Sequence, residues 1–108
     1  METSDSKKDL LSFTLSTPVG IAINPNKSNI SQDRLFVADS GNDRILKFTE
    51  NNRFIERWGS SGSDNGNFKF PSGIAVDLSG NVFVTDTYNH RIQIFTNNGD
   101  FVDRKSVV

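Results

Sequence analysis

From Pro18 onward the apolar residues of this chain come in short runs cut by Asn, Asp, Gly and Ser. They read GIAIN, RLFVADS, RILKFT and FIERWG, and then GIAVD, NVFVTDT, RIQIFT and FVDRKSVV. Runs this short, rich in β-branched and aromatic residues and bounded by turn formers, predict strands. Two sets of four are expected, each an antiparallel meander, so the class is all-β. Asn98-Gly99 signals a type I′ hairpin turn, because both residues tolerate positive φ. In LFVA both alternating sets are apolar, Leu35 with Val37 and Phe36 with Ala38, and in RIQIF Ile92 and Ile94 oppose Phe95. A sheet with one face in water alternates more cleanly, so these small sheets are expected to be covered on both faces.

The two sets are one unit written twice. Setting LFVADSGNDRILKFTENNRFIERW (35–58) over VFVTDTYNHRIQIFTNNGDFVDRK (82–105), an offset of 47, gives 11 identities in 24 positions. Upstream, PVGIAIN (18–24) matches PSGIAVD (71–77) at an offset of 53. The change of six places an insertion in PNKSNISQDR (25–34), where the second copy has only the turn LSGN. Repetition at this period is the mark of a repeat architecture, in which each unit buries its faces on its neighbours.

Composition narrows the chemistry. The chain has 108 residues, 34% hydrophobic and 23% charged, enough for one modest domain with a small core. Twelve basic residues against thirteen acidic ones give a net charge of −1, without the basic excess that attracts nucleic acid. There is no cysteine, which excludes a disulfide framework, a thiolate metal site and a cysteine nucleophile. No apolar run approaches the roughly 20 residues that cross a bilayer as a helix. The opening METSDSKKDLLSFTL is polar, with acids among its lysines, unlike a secretory leader, so a cytoplasmic location is the default expectation.

The series PSGIAVD, NVFVTDTYNHRIQIF and NGDFV resembles an NHL repeat, with the Asn-His-Arg-Ile signature at 89–92. The first unit has Asn42-Asp43-Arg44-Ile45 there, Asp in place of His. The stretch RWGSSGSDNGNFKFP (57–71) resembles the connection between successive NHL repeats. The resemblance implies a β-propeller, each repeat supplying a four-stranded blade, in rings that commonly hold six blades and present a scaffold for binding. Two blades are expected in this chain, an incomplete ring: residues 18–58 with the insertion 25–34, and residues 71–108, joined by a linker at 59–70. Residues 1–17 are read as a polar segment, with 10–17 either the tail of an edge strand or the approach to Pro18. Two blades alone leave two apolar sheet faces uncovered. The chain is therefore expected to be part of a longer protein, to assemble as a trimer of two-blade units, or to pair with another propeller fragment.

The repeat also weighs the candidate sites. Gly20, Asp39, Asn42 and Arg44 recur as Gly73, Asp86, Asn89 and Arg91, so they answer a need of every blade. Asp is expected to cap the turn between the second and third strands by accepting backbone N–H bonds, with Arg paired to it. Gly20 and Gly73 are expected to permit close backbone approach near the axis or a turn into the first strand. His90 is the only histidine, and its counterpart is Asp43, so the position is polar rather than catalytic. Ser63-Asp64-Asn65-Gly66-Asn67 has the oxygen donors for calcium without the spaced acids of a calcium loop. It reads as a linker. Lys27 and Arg34, in the insertion, are candidate partner contacts. No catalytic, metal or cofactor residue is expected.

Functionally, the resemblance implies a non-catalytic module that binds protein. Related propellers also bind single-stranded RNA, but the first unit (18–58) has six basic and five acidic residues and the second (71–108) three and four, which disfavours nucleic acid. The rival class is a propeller enzyme of the lyase or lactonase type, whose ligands come from several blades. No membrane partner is expected.

Overall fold

The computed structural model describes residues 14–24 and 33–107. Among the described residues eight strands follow one another: β1 (Pro18–Ile23), β2 (Asp33–Asp39), β3 (Arg44–Thr49), β4 (Phe54–Trp58), β5 (Pro71–Val76), β6 (Val82–Asp86), β7 (Arg91–Phe95) and β8 (Phe101–Ser106). They form two four-stranded sheets, ordered β1-β2-β3-β4 and β5-β6-β7-β8, with every neighbouring pair antiparallel. These are two propeller blades. Most of the insertion 25–34 lies outside the described residues, and its end already belongs to β2.

Residues 14–17 form no strand and make the approach to Pro18; residues 1–13, on which the rest of the expected edge strand falls, lie outside the described residues. Ser16 is pinned as Lys69 is in the second blade. The amide of Ser16 donates to Asp39 Oδ1 at 2.8 Å and that of Lys69 to Asp86 Oδ1 at 2.7 Å. Thr17 and Phe70, just before the two prolines, share an unusual positive φ of 50° and 60°. Among the described residues the likeness between the units thus reaches back at least to Leu15 and Phe68, ahead of the sequence match at Pro18 and Pro71.

The hairpin at Asn98-Gly99 is not type I′. Only Gly99 has positive φ, 85°, and the loop is closed by Thr96, whose amide donates to the Asp100 carbonyl at 2.8 Å. The reason lies in Thr96 Oγ1, which accepts the amides of Asn98 and Asp100, both at 3.2 Å, and holds a wider turn open. The first blade repeats the device. Thr49 Oγ1 accepts from Asn51 and Arg53, and Asn52 takes the left-handed conformation at φ 67°.

Alternation sorts each blade into two faces. In the first, β2 and β3 turn Phe36, Ala38 and Ile45 toward the second blade and Val37, Leu46 and Phe48 away from it. The inter-blade core joins the former to Val82, Val84 and Phe95 of the second blade and Phe68 of the linker, with Trp58, Ile74 and Val76 at its margin. Trp58 meets Phe36 edge-on at 6.3 Å between ring centroids and lies 5.7 Å from Phe95. Full burial of one such side chain is worth about 1.5–3 kcal/mol, so this layer is the main cohesion between the blades. Gly20 serves close packing here: a Cβ on it would strike the carbonyl oxygen of Ser72.

Candidate functional site

Three of the polar residues that recur in both blades, Asp39, Asn42 and Arg44 with Asp86, Asn89 and Arg91, gather at the turn between the second and third strands. In the second blade, Asp86 closes β6 and Arg91 opens β7, five residues on across a 3-10 turn (Thr87–Asn89). Asp86 is fully buried and takes four donors. Its Oδ1 accepts the Lys69 amide, and its Oδ2 accepts Arg91 Nε at 2.7 Å, Asn89 Nδ2 at 2.9 Å and Gln93 Nε2 at 3.1 Å. The expectation that Asp caps its own turn is corrected, since the turn carries no side-chain cap of its own. The carboxylate instead reaches the linker that leads into the blade.

The other side of this cluster grips the same linker. Arg91 donates through its terminal nitrogens to the carbonyls of Ser63 at 2.8 Å, Asp64 at 3.0 Å and Asn67 at 2.9 Å. Gln93 donates to the Asn67 carbonyl at 2.7 Å and accepts the Gly66 amide at 2.9 Å, while Asn89 donates to the Gly62 carbonyl at 2.9 Å. The stretch 63–67 that invited a calcium reading does wrap its oxygens around a cation. That cation is the Arg91 guanidinium, whose planar fork suits several carbonyls at once.

The first blade shows the same arrangement in reduced form. Asp39 is buried and accepts Arg44 Nε at 2.7 Å and Asn42 Nδ2 at 2.9 Å. Leu46 stands where Gln93 stands in the second blade. Arg44 keeps 18% of its side chain exposed against 8% for Arg91.

At the end of each 3-10 turn sits a residue in the left-handed conformation, Asp43 and His90, both at φ 53°. Asp43 carries its own task, for Oδ1 accepts the Phe70 amide at 2.8 Å and Oδ2 accepts the Ser61 hydroxyl, tying the first blade to the start of the second. His90 uses its backbone, whose carbonyl accepts the Val107 amide at 2.9 Å. Its side chain is exposed beside an open cavity of about 290 Å³ that also touches Asn89, Arg91, Arg104 and Ser106. Gly73 neighbours Thr85, whose hydroxyl a Cβ there would meet.

Two features, one on this rim and one between the blades, escaped the sequence reading. Tyr88 is 65% exposed yet stacked on Phe70 at 5.5 Å, and its backbone amide donates to the Lys69 carbonyl at 3.0 Å. Between the blades, Lys47 is buried on β3, donates Nζ to the Asn97 carbonyl at 2.7 Å and stands 3.9 Å from Glu56. Nothing but its polar character within an apolar run marked it. Of the insertion residues, Lys27 lies outside the described residues, and Arg34 falls within β2.

The comparisons with known proteins agree with this architecture. Residues 68–95 match the NHL repeat model. No curated protein matches the chain by sequence. Among solved structures, a putative exported protein from Bacteroides fragilis aligns over 99% of this chain and 27% of its own, at 20% identity and a TM-score of 0.67. A luciferin-regenerating enzyme aligns over 86% of this chain and 31% of its own, at 16% identity and a TM-score of 0.60. The chain thus spans less than a third of either neighbour, and at these identities the likeness is one of fold. The first neighbour overturns the cytoplasmic expectation. Its fold serves a protein named for export, and blades without cysteine depend on neither redox compartment, so a polar opening segment does not assign them to the cytoplasm. No helix among the described residues is long and apolar enough to cross a membrane. The chain carries an NHL repeat at residues 68–95, set in a pair of propeller blades built to one plan.

Proposed function

We propose that the chain is a non-catalytic propeller module that binds protein along the rim formed by its β2–β3 and β6–β7 turns. The observation that carries this reading is Tyr88, a large aromatic held out to solvent on a turn already fixed by Phe70 stacking and by the Lys69 carbonyl. An exposed Tyr whose conformation is set beforehand is a favourable contact residue, because little side-chain freedom remains to be lost on binding. The insertion 25–34, with Lys27 and Arg34, is the second candidate contact, being the stretch in which the two units differ most in length.

The carboxylates and guanidinia that a catalytic reading would use are engaged with the fold: Asp39 with Arg44, and Asp86 with Arg91 and the linker. This supports a structural part for them. The test is binding of the labelled chain to an array of extended peptides, alongside titration with single-stranded RNA and a lactone-hydrolysis assay with added divalent metal. Peptide binding weakened about tenfold or more by Tyr88→Ala is expected, at the magnitude of an aromatic contact residue. Hydrolysis of the lactone, binding of RNA in place of peptide, or peptide binding indifferent to Tyr88→Ala would overturn the reading.

A further inference from the structure

The interface between the two blades is a template for the two sheet faces at the ends of the pair. The first blade offers Phe36, Ala38 and Ile45 to the second, and the repeat carries these to Phe83, Thr85 and Ile92 on the far face of the second blade. Conversely, Ile74 and Val76, which pack against the inter-blade core, correspond to Ile21 and Ile23, which stand 64% and 63% exposed on the far face of the first blade. One end of the pair is shaped as a socket and the other as its plug.

Two cavities mark the same relation. A groove of about 190 Å³ on the second blade is lined by Gly73, Ala75, Phe83, Thr85 and Ile92 with Ile74. The first five are the equivalents, in order, of Gly20, Ala22, Phe36, Ala38 and Ile45, the surface on which Ile74 sits. A pocket of about 290 Å³ on the first blade is lined by Ile23, Leu35, Glu50 and Asn52. These are the equivalents of Val76, Val82, Asn97 and Gly99, the residues around Trp58 and the end of Lys47. Each cavity is the vacant form of a seat that is filled between the blades.

The substitutions between the repeats fit this pairing. At the position of Trp58 the second blade has Lys105, 69% exposed and on the same face as Ile92. At the position of Asn97 the first blade has Glu50. A base therefore arrives where an acid lines the pocket, and Gly73 reproduces the close backbone approach that Gly20 allows.

We infer that the chain associates head to tail with a second copy of itself. Ile21 and Ile23 of one copy enter the groove at Phe83, Thr85 and Ile92 of the next, whose Lys105 comes to lie beside Glu50 of the first. The interface joins two different patches, so it propagates from copy to copy, and the ring closes where its rotation brings the third copy back to the first. Three copies complete the six-bladed ring that the resemblance implies. This inference uses the blade faces and is independent of the rim around Tyr88.

The test is molar mass by light scattering over a dilution series for the 108-residue chain, for Ile21→Arg, for Ile92→Arg and for an equimolar mixture of the two variants. The unaltered chain is expected to form a trimer that dissociates on dilution, and each variant to be monomeric. The mixture should give a dimer and nothing larger, because each variant retains the patch the other has lost. Circular dichroism checks that the variants fold, and Thr85→Arg on the same groove takes the place of Ile92→Arg if that variant does not. Lys105→Glu should weaken association about fivefold, with Glu50→Lys in the same chain restoring it. A monomer at every concentration, single variants that still dimerise, or a mixture that stays monomeric would overturn the inference.

Discussion

The two blades meet the same requirement with different amounts of material. Both must anchor an incoming segment against the turn between their second and third strands, and both use a buried Asp, an Asn three residues on and an Arg five residues on. In the second blade Gln93 joins the cluster and the guanidinium is buried in linker carbonyls. In the first, Leu46 replaces that Gln and Arg44 is partly open to water. The Asp–Asn–Arg set is thus the invariant part. Gln93 and the carbonyl contacts of Arg91 are the part that differs between the blades.

The sharpest way to break this comparison is to remove each carboxylate. Asp86→Ala leaves a buried guanidinium without its counter-charge and frees the Lys69 amide, and a broken buried pair costs about 3–5 kcal/mol. Asp39→Ala removes fewer bonds and leaves Arg44 able to hydrate, so about 2 kcal/mol is expected. Urea unfolding of both variants measures the difference. Equal losses would show that the linker contacts of Arg91 add nothing to the pair.

A second contrast lies at the end of the fourth strand. Trp58 fills the seam between the blades, and Trp58→Ala should cost about 3 kcal/mol through the cavity it leaves. Lys105, its equivalent, is mostly exposed, and Lys105→Ala should change the monomer's stability by less than about 0.5 kcal/mol. Thermal or urea denaturation under dilute conditions checks both.

The left-handed positions come next. Asp43→Ala loses acceptors for the Phe70 amide and the Ser61 hydroxyl and should cost about 1–2 kcal/mol. His90→Ala leaves its backbone bond to Val107 in place and should cost only a few tenths of a kcal/mol. The same unfolding measurements apply. A comparable loss at both positions would show that the left-handed conformation matters at this site, and the bonds from Asp43 little.

The strands and their order were legible because short β-branched runs, turn residues and an internal repeat all point to one architecture. The pairing of Asp39 with Arg44 and Asp86 with Arg91 was legible too, from spacing alone. The linker's part was not. Asp86 takes an amide from Lys69, 17 residues away, and Asp39 one from Ser16, 23 residues away, and no local pattern announces a bond across that distance. A signal did exist in Leu15-Ser16-Thr17-Pro18 against Phe68-Lys69-Phe70-Pro71, but only the Pro is shared, and equivalence there rests on backbone shape. The Asn98-Gly99 turn was misjudged for a related reason, since the hydroxyl of Thr96 sets the loop before the Asn-Gly pair can.

The smallest expected effect separates the blades by acid. Asp77 closes the β5–β6 turn, its Oδ1 accepting the amides of Ser79 and Asn81, both at 2.9 Å. The Asn81 amide is the chief cause that holds its carboxyl below the ordinary value of 3.8; partial desolvation opposes this, and the Asn81 side chain and the amides of Ser79 and Gly80 reinforce it. A carboxyl whose folded value is depressed adds stability that is fully present above its unfolded value and is lost as pH falls through the folded one. The first blade has Asn24 at this position and no such dependence there. Asp77→Asn keeps an acceptor oxygen but removes the charge, so its unfolding midpoint should lie slightly below that of the unaltered chain near neutrality and converge with it below about pH 4. Asp103, whose carboxyl is lowered by the Arg104 amide and then by Lys105, titrates alike in both proteins and cancels in the difference. A gap that stays constant with pH would mean that the turn is set by Gly80 at φ 87° and the backbone bond from Gly80 to Asp77, with the carboxylate only decorating it.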